Sequence, residues 1–133
     1  MAFAISIADI PAKAKACIEA ELPSRAARAT NALINAKDLV LRGQRSGRVY
    51  GGHQASAPGE PPAQWSGNLR MNNWEQIDDA HLPAIVSHTW YANLLENGTA
   101  GGQMAPRPFK EPILEKSIPE VSAIYSEPWH ISF

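Results

Sequence analysis

The chain has 133 residues, enough for one domain with a single core, and its 44% hydrophobic and 19% charged residues exclude wholesale disorder. Twelve Lys+Arg against thirteen Asp+Glu give a net charge of −1, which excludes coating of nucleic acid or an anionic membrane through bulk charge and leaves only local patches. No apolar run approaches the ~20 residues needed to span a bilayer. The N-terminus, MAFAISIADIPAKAK, has no cation ahead of its apolar stretch and an acid, Asp9, soon after it. That order is wrong for a secretory signal, so the expectation is a protein made and kept in a cytoplasm. The lone Cys17, between Ala16 and Ile18, cannot close an intrachain disulfide and reads as a small buried thiol.

In chain order, Asp9 to Glu21 reads as a short helix, with Asp9 as cap and Pro11 in the first turn. Pro23 is expected to stop or kink it. Ser24 then caps a longer helix ending at Gly43, a residue able to adopt the left-handed conformation that closes helices. Ala26, Ala29, Leu33, Ala36 and Val40 form its apolar stripe, with Arg28, Asn31, Asn35, Asp38 and Arg42 opposite. The stripe is mostly alanine, so whatever packs on it approaches closely. Leu39 intrudes on the polar face, where a lone subunit would expose it.

Val49-Tyr50 reads as a strand, and residues 51 to 65 as a long irregular loop, because Pro58, Pro61 and Pro62 forbid helix and deprive a sheet of donors. Such a loop has few apolar groups with which to fix itself, so it is expected to be mobile until assembly. Ser66-Gly67-Asn68-Leu69 forms a turn, and MNNWEQI and PAIVSHTWY carry the residues of two strands. Tyr91, Leu94 and Leu95 mark two turns of helix closed by Asn97-Gly98. The extended APRPF segment leads to a last helix from about Pro112 to Tyr125. The predicted fold class is α+β, a single domain over 1–133 in which a small antiparallel sheet is packed by the long N-terminal helix and the C-terminal helix.

Catalytic and metal signals are weak. His53, His81, His88 and His130 are scattered, with no ligand spacing among them. Asp78-Asp79 fits a polar turn between strands as well as a cation site, and Gly98-Thr-Ala-Gly-Gly lacks the Lys-Ser/Thr of a phosphate loop. No nucleophile elbow is present. The sequence therefore predicts no enzyme, no cofactor and no metal. Arg42, Arg45 and Arg48 form a basic cluster close to Tyr50, which reads either as a solvated loop or as a set of contacts to DNA phosphates.

Four strings stand out in order: SAPGEPP from Ser56, GNLR from Gly67, YANLLENGT from Tyr91 and APRPF from Ala105. Together they resemble the head-tail joining family of long-tailed bacteriophages, small neck and tail-completion proteins, over about Arg45 to Lys116. The chain departs from the family at Gln64-Trp65-Ser66, where a short polar run ending in Thr is usual, and in its aromatic end YSEPWHISF, which leaves Trp129 and Phe133 between packing on this subunit and docking on another.

The resemblance implies a structural virion protein of the neck, assembled in the bacterial host cytoplasm. It would form a homo-oligomeric ring, six- or twelve-fold, which joins the DNA-filled head to the tail and lines the DNA passage. Its implied partners are copies of itself, head-completion and tail-tube or tail-terminator proteins, and DNA without sequence specificity, with no membrane. Within the same class the alternative is a tail terminator or minor tail protein; from another class it is a small nucleic-acid-binding protein. Pro58, Glu60, Pro61, Pro62, Trp65, Arg107 and Phe109 are the expected assembly residues, since proline-stiffened segments lose little entropy on docking and Arg and Phe suit interface anchors. Phe109 reads equally well as a plug in its own core. Arg42, Arg45 and Arg48 are the expected DNA-channel contacts.

Overall fold

A computed structural model describes residues 9–64 and 66–132. The expected Asp9 side-chain cap, Trp65 and Phe133 lie outside what it describes. The architecture is α+β: helix α1 (Asp9–Leu41), strands β1 (Val49–Tyr50) and β2 (His53–Gln54), helix α2 (Asn68–Met71), strands β3 (Trp74–Ile77) and β4 (Ala84–Ser87), and helices α3 (Ala92–Asn97) and α4 (Lys110–Ser126).

The two helices expected on either side of Pro23 are one. Proline removes a rung of the helix ladder, yet α1 runs through it, and the reason is tertiary. The C-terminal segment lies along this part of α1. The Arg25 guanidinium, 6% exposed, donates to the carbonyls of Ile124, Glu127 and Pro128 at 2.7, 2.9 and 2.9 Å. Its plane lies 3.7 Å over the Trp129 ring, and the His130 amide donates to Glu21. Arg28 pairs with Glu127 at 2.7 Å. Trp129 therefore docks on its own subunit.

The alanine stripe holds as expected at Ala26, Ala29 and Ala36, with Ala32 added; all four are at most 3% exposed, and α4 packs along α1. Small side chains let the two helices approach closely. They run antiparallel, since Phe109 and Ile113 at the start of α4 join Ala36, Leu41 and Ala92 in one cluster, while Ile124 at its end meets Arg25. Leu39 is 46% exposed. The helix ends at Leu41 without a left-handed Gly43; instead the Val40 carbonyl accepts from the Gly43 amide and from the Arg45 guanidinium.

The strands fall into two separate antiparallel ladders. The first pairs Val49 with Gln54 and Tyr50 with His53. Its two-residue turn, Gly51-Gly52, has φ of 53° and 83°, which glycine adopts without steric cost. The second pairs Trp74 with Ser87 through to Ile77 with Ala84. It is tied to α1 by polar contacts that the helical stripe did not foretell. The Thr30 hydroxyl donates to Asp78 at 2.6 Å and accepts from the Gln76 amide at 2.7 Å. Lys37, 5% exposed, donates to the Arg70 carbonyl and to Asp38, with its ammonium 5.3 Å from the Trp74 ring. No helix among the described residues is long and apolar enough to cross a membrane.

Candidate assembly site

The four motif strings, spread over some fifty residues of chain, hold one another in space. Glu60 bends SAPGEPP back onto its own start: its carboxylate accepts from the Ala57 amide and from both the amide and the hydroxyl of Ser46. The Ser46 hydroxyl first, then these amides and the nearby Arg45 charge, hold the Glu60 carboxyl below its ordinary value. Arg45 donates from Nε to the Pro61 carbonyl at 2.7 Å and also to that of Pro62. Burial lowers the pKa of this guanidinium, against the opposing pull of Glu60. One arginine therefore joins the end of α1 to the proline segment.

The loop is next tied to APRPF. The Gly59 amide donates to the Pro106 carbonyl at 3.1 Å, and Arg107 Nε donates to the Ser56 hydroxyl at 2.9 Å. APRPF is in turn held by YANLLENGT. The Arg107 amide donates to the Leu95 carbonyl, and the Thr99 hydroxyl accepts from the Met104 amide. Glu96 accepts from the amides of Phe109 and Lys110 at 2.8 and 3.1 Å, which makes it the N-terminal cap of α4 from a distant helix. Gly98, with φ of 75°, closes α3 where a Cβ would stand 2.7 Å from the Met104 oxygen. GNLR completes the set, the Asn68 side-chain Nδ2 donating to the Tyr91 hydroxyl at 2.7 Å.

Between these segments lies a cleft of about 330 Å³ walled by Leu41, Pro62, Leu69, Tyr91, Leu95, Met104 and Arg107. Its chemistry is that of a joint, apolar walls with hydrogen-bonding groups along one rim. No group of three or more His, Cys, Asp or Glu able to hold a metal ion exists among the described residues. Asp78 and Asp79 serve the turn between β3 and β4: Asp78 accepts from Thr30, and Asp79 accepts from the His81 and Leu82 amides.

Several expected site residues are placed differently from their assigned roles. Phe109 is 7% exposed and its ring sits in its own subunit's core. Pro62 is buried, Glu60, Pro61 and Arg107 are half-buried against their own subunit, and Pro58 is the proline left facing outward. Within the loop, His53–Gln54 form β2, and the Gly59 amide and the Glu60 carboxylate hold residues 57–60 by hydrogen bonds to Pro106, Ala57 and Ser46. Arg45 donates to carbonyls within its own subunit. Arg42 and Arg48 are exposed, and the Arg48 guanidinium lies 5.0 Å over the Tyr50 ring. Sequence reasoning missed Glu96 as a helix cap and Arg25 as a clamp, because the partners of both are more than ten residues away and no local spacing signals them.

No family model matches this chain, no curated protein matches it, and no solved structure matches it.

Proposed function

We propose that this chain is a structural component of a bacteriophage neck, a head-tail joining or tail-completion subunit that assembles with copies of itself around the DNA passage between capsid and tail. The observation that carries the reading is the mutual holding of the four motif segments. Arg107 of APRPF bonds Ser56 of SAPGEPP, Glu96 of YANLLENGT accepts from the Phe109 and Lys110 amides at the end of APRPF, and Asn68 of GNLR bonds Tyr91. The surface adds support of a different kind. Leu82, Trp90, Val49, Tyr50, Met71 and Ile118 are each more than half exposed, while much of the buried interior is alanine. Single exposed apolar side chains are ordinary, but so many beside so small a core suit a subunit completed by its neighbours.

The reading requires no reaction and no cofactor. Arg42 and Arg48 remain available for anionic groups, whether DNA phosphates in the passage or carboxylates of a neighbour. The test is genetic and structural together. Particles made without this protein should accumulate as filled heads and free tails, counted by electron microscopy, and adding the protein back should join them. Tails of uncontrolled length would move it to the terminator position instead. Joined, infectious particles in its absence would refute the neck assignment.

A further inference from the structure

The β1–β2 hairpin stands apart from the helices and from the second ladder. Its ladder is two residues a strand, and it makes no more than isolated contacts with any other helix or strand. A hairpin of that size does not hold itself in water. Yet its side chains are not those of a solvated tip: Val49 is 58% and Tyr50 52% exposed, and Arg48 stacks on the tyrosine ring. Arg48 is the one Lys, Arg, Asp or Glu among residues 48–54.

Elsewhere, α4 turns a stripe outward in which acids and apolar side chains alternate. Glu111, Leu114, Glu115 and Ile118 stand at the i, i+3, i+4, i+7 spacing of one helical face. All are exposed, Leu114 by 40% and Ile118 by 58%, and among the described residues neither glutamate has an ion-pair or hydrogen-bond partner for its carboxylate. Lys110 and Lys116 lie at the two edges of this face, each roughly 100° round the helix from the nearer glutamate, and neither sits within the stripe. One surface is thus cationic and apolar, the other anionic and apolar, and both belong to the same chain.

From this complementarity we infer that the hairpin of one copy docks on the α4 stripe of a second copy, Arg48 meeting Glu111 and Glu115 while Tyr50, two residues on and so on the same strand face, covers Leu114 and Ile118. The inference rests on the assembly reading and gives it a specific contact. Because the two surfaces differ, the contact is head-to-tail and repeats from copy to copy, closing into a ring or running on as a filament. Few side chains take part, against the roughly 20–30 residues a side of a stable pair. An isolated pair is therefore weak and salt-sensitive, and the assembled state is reached through repetition.

Charge reversal with rescue tests it, read by sedimentation equilibrium at low and high salt, with circular dichroism as the control for folding. Arg48→Glu should weaken self-association about tenfold or more, and so should Glu111→Lys with Glu115→Lys, since like charges face each other across the contact. Mixing the two variant chains should restore association between them. Tyr50→Ser, which leaves every charge in place, should weaken it as well. Association of the wild type that none of these substitutions changes would overturn this contact while leaving the assembly reading standing. A wild type that stays monomeric at every concentration would overturn both. A variant hairpin that loses affinity for DNA rather than for its own kind would overturn it too, by making the hairpin a nucleic-acid contact.

Discussion

Replacing Phe109 with alanine probes the joint between the core and the motif segments. Among the described residues the large apolar side chains in the buried core are Leu41, Phe109, Ile113 and Ile124, and the remainder of the core is alanine. The Phe109 ring packs with Ala36, Leu41, Ala92 and Ile113. Two of these neighbours have no side-chain freedom with which to fill a hole, so the cavity left by truncation stays open. The cost should therefore be about 3–5 kcal/mol, the usual range for a buried phenylalanine. Small domains have about 5–15 kcal/mol in all, so the variant should be only marginally folded. Urea denaturation followed by tryptophan fluorescence measures it, with an unchanged slope showing that the unfolded state is the same. Phe109→Leu, which keeps most of the apolar volume, should lose less than half as much. Arg107→Ala is the paired control: it removes hydrogen bonds to Ser56 and to the Ala105 carbonyl, worth about 0.5–1.5 kcal/mol net each. It should melt cooperatively while failing to complete particles. A loss under about 1.5 kcal/mol for Phe109→Ala would refute the core placement of the ring, and normal yields of joined particles from Arg107→Ala would remove that residue from assembly.

Acid should loosen two parts of the molecule. Glu60 and Glu127 both titrate below the ordinary carboxylate value, the first through Ser46 and the second through Arg28. A lowered folded-state pKa gives stability that is complete above the ordinary value and is lost as pH falls through the depressed one. The Ser46 and Ala57 amide resonances should follow that transition, and Glu60→Gln should abolish it; titration at or above the ordinary value would count against the loop anchor. Arg25→Ala should release the segment after α4 at a cost of about 2–4 kcal/mol, since three carbonyls lose a charged donor. Unchanged protease resistance at residues 127–132 would show that other contacts hold it. Gly98→Ala should cost more than about 1 kcal/mol by thermal melting, because a Cβ there meets both an unfavourable φ and the Met104 oxygen. An unchanged melting temperature would mean that the turn relaxes freely.

What the sequence determined by itself was local. Alanine at helical spacing in α1, β-branched and aromatic residues around Trp74 and Ile85, and Asn97-Gly98 after a short apolar repeat each specify an element through its own period and its own turn chemistry. The order of the four motif strings was equally legible, and with it the resemblance, because both are properties of the linear chain. Tertiary structure decided everything that depends on a distant partner. Pro23 stays inside a helix because the segment after α4 clamps both of its flanks to Arg25, Glu21 and Arg28. Arg45 and Glu60 look like surface charges in the sequence and become struts, since backbone carbonyls and amides, which every residue carries alike, are what they bind. Glu96 caps a helix that begins fourteen residues after it, and no spacing rule reaches that far. The sequence thus named the pieces, and the backbone groups brought near them by folding chose between a contact within the subunit and one free to meet a neighbour.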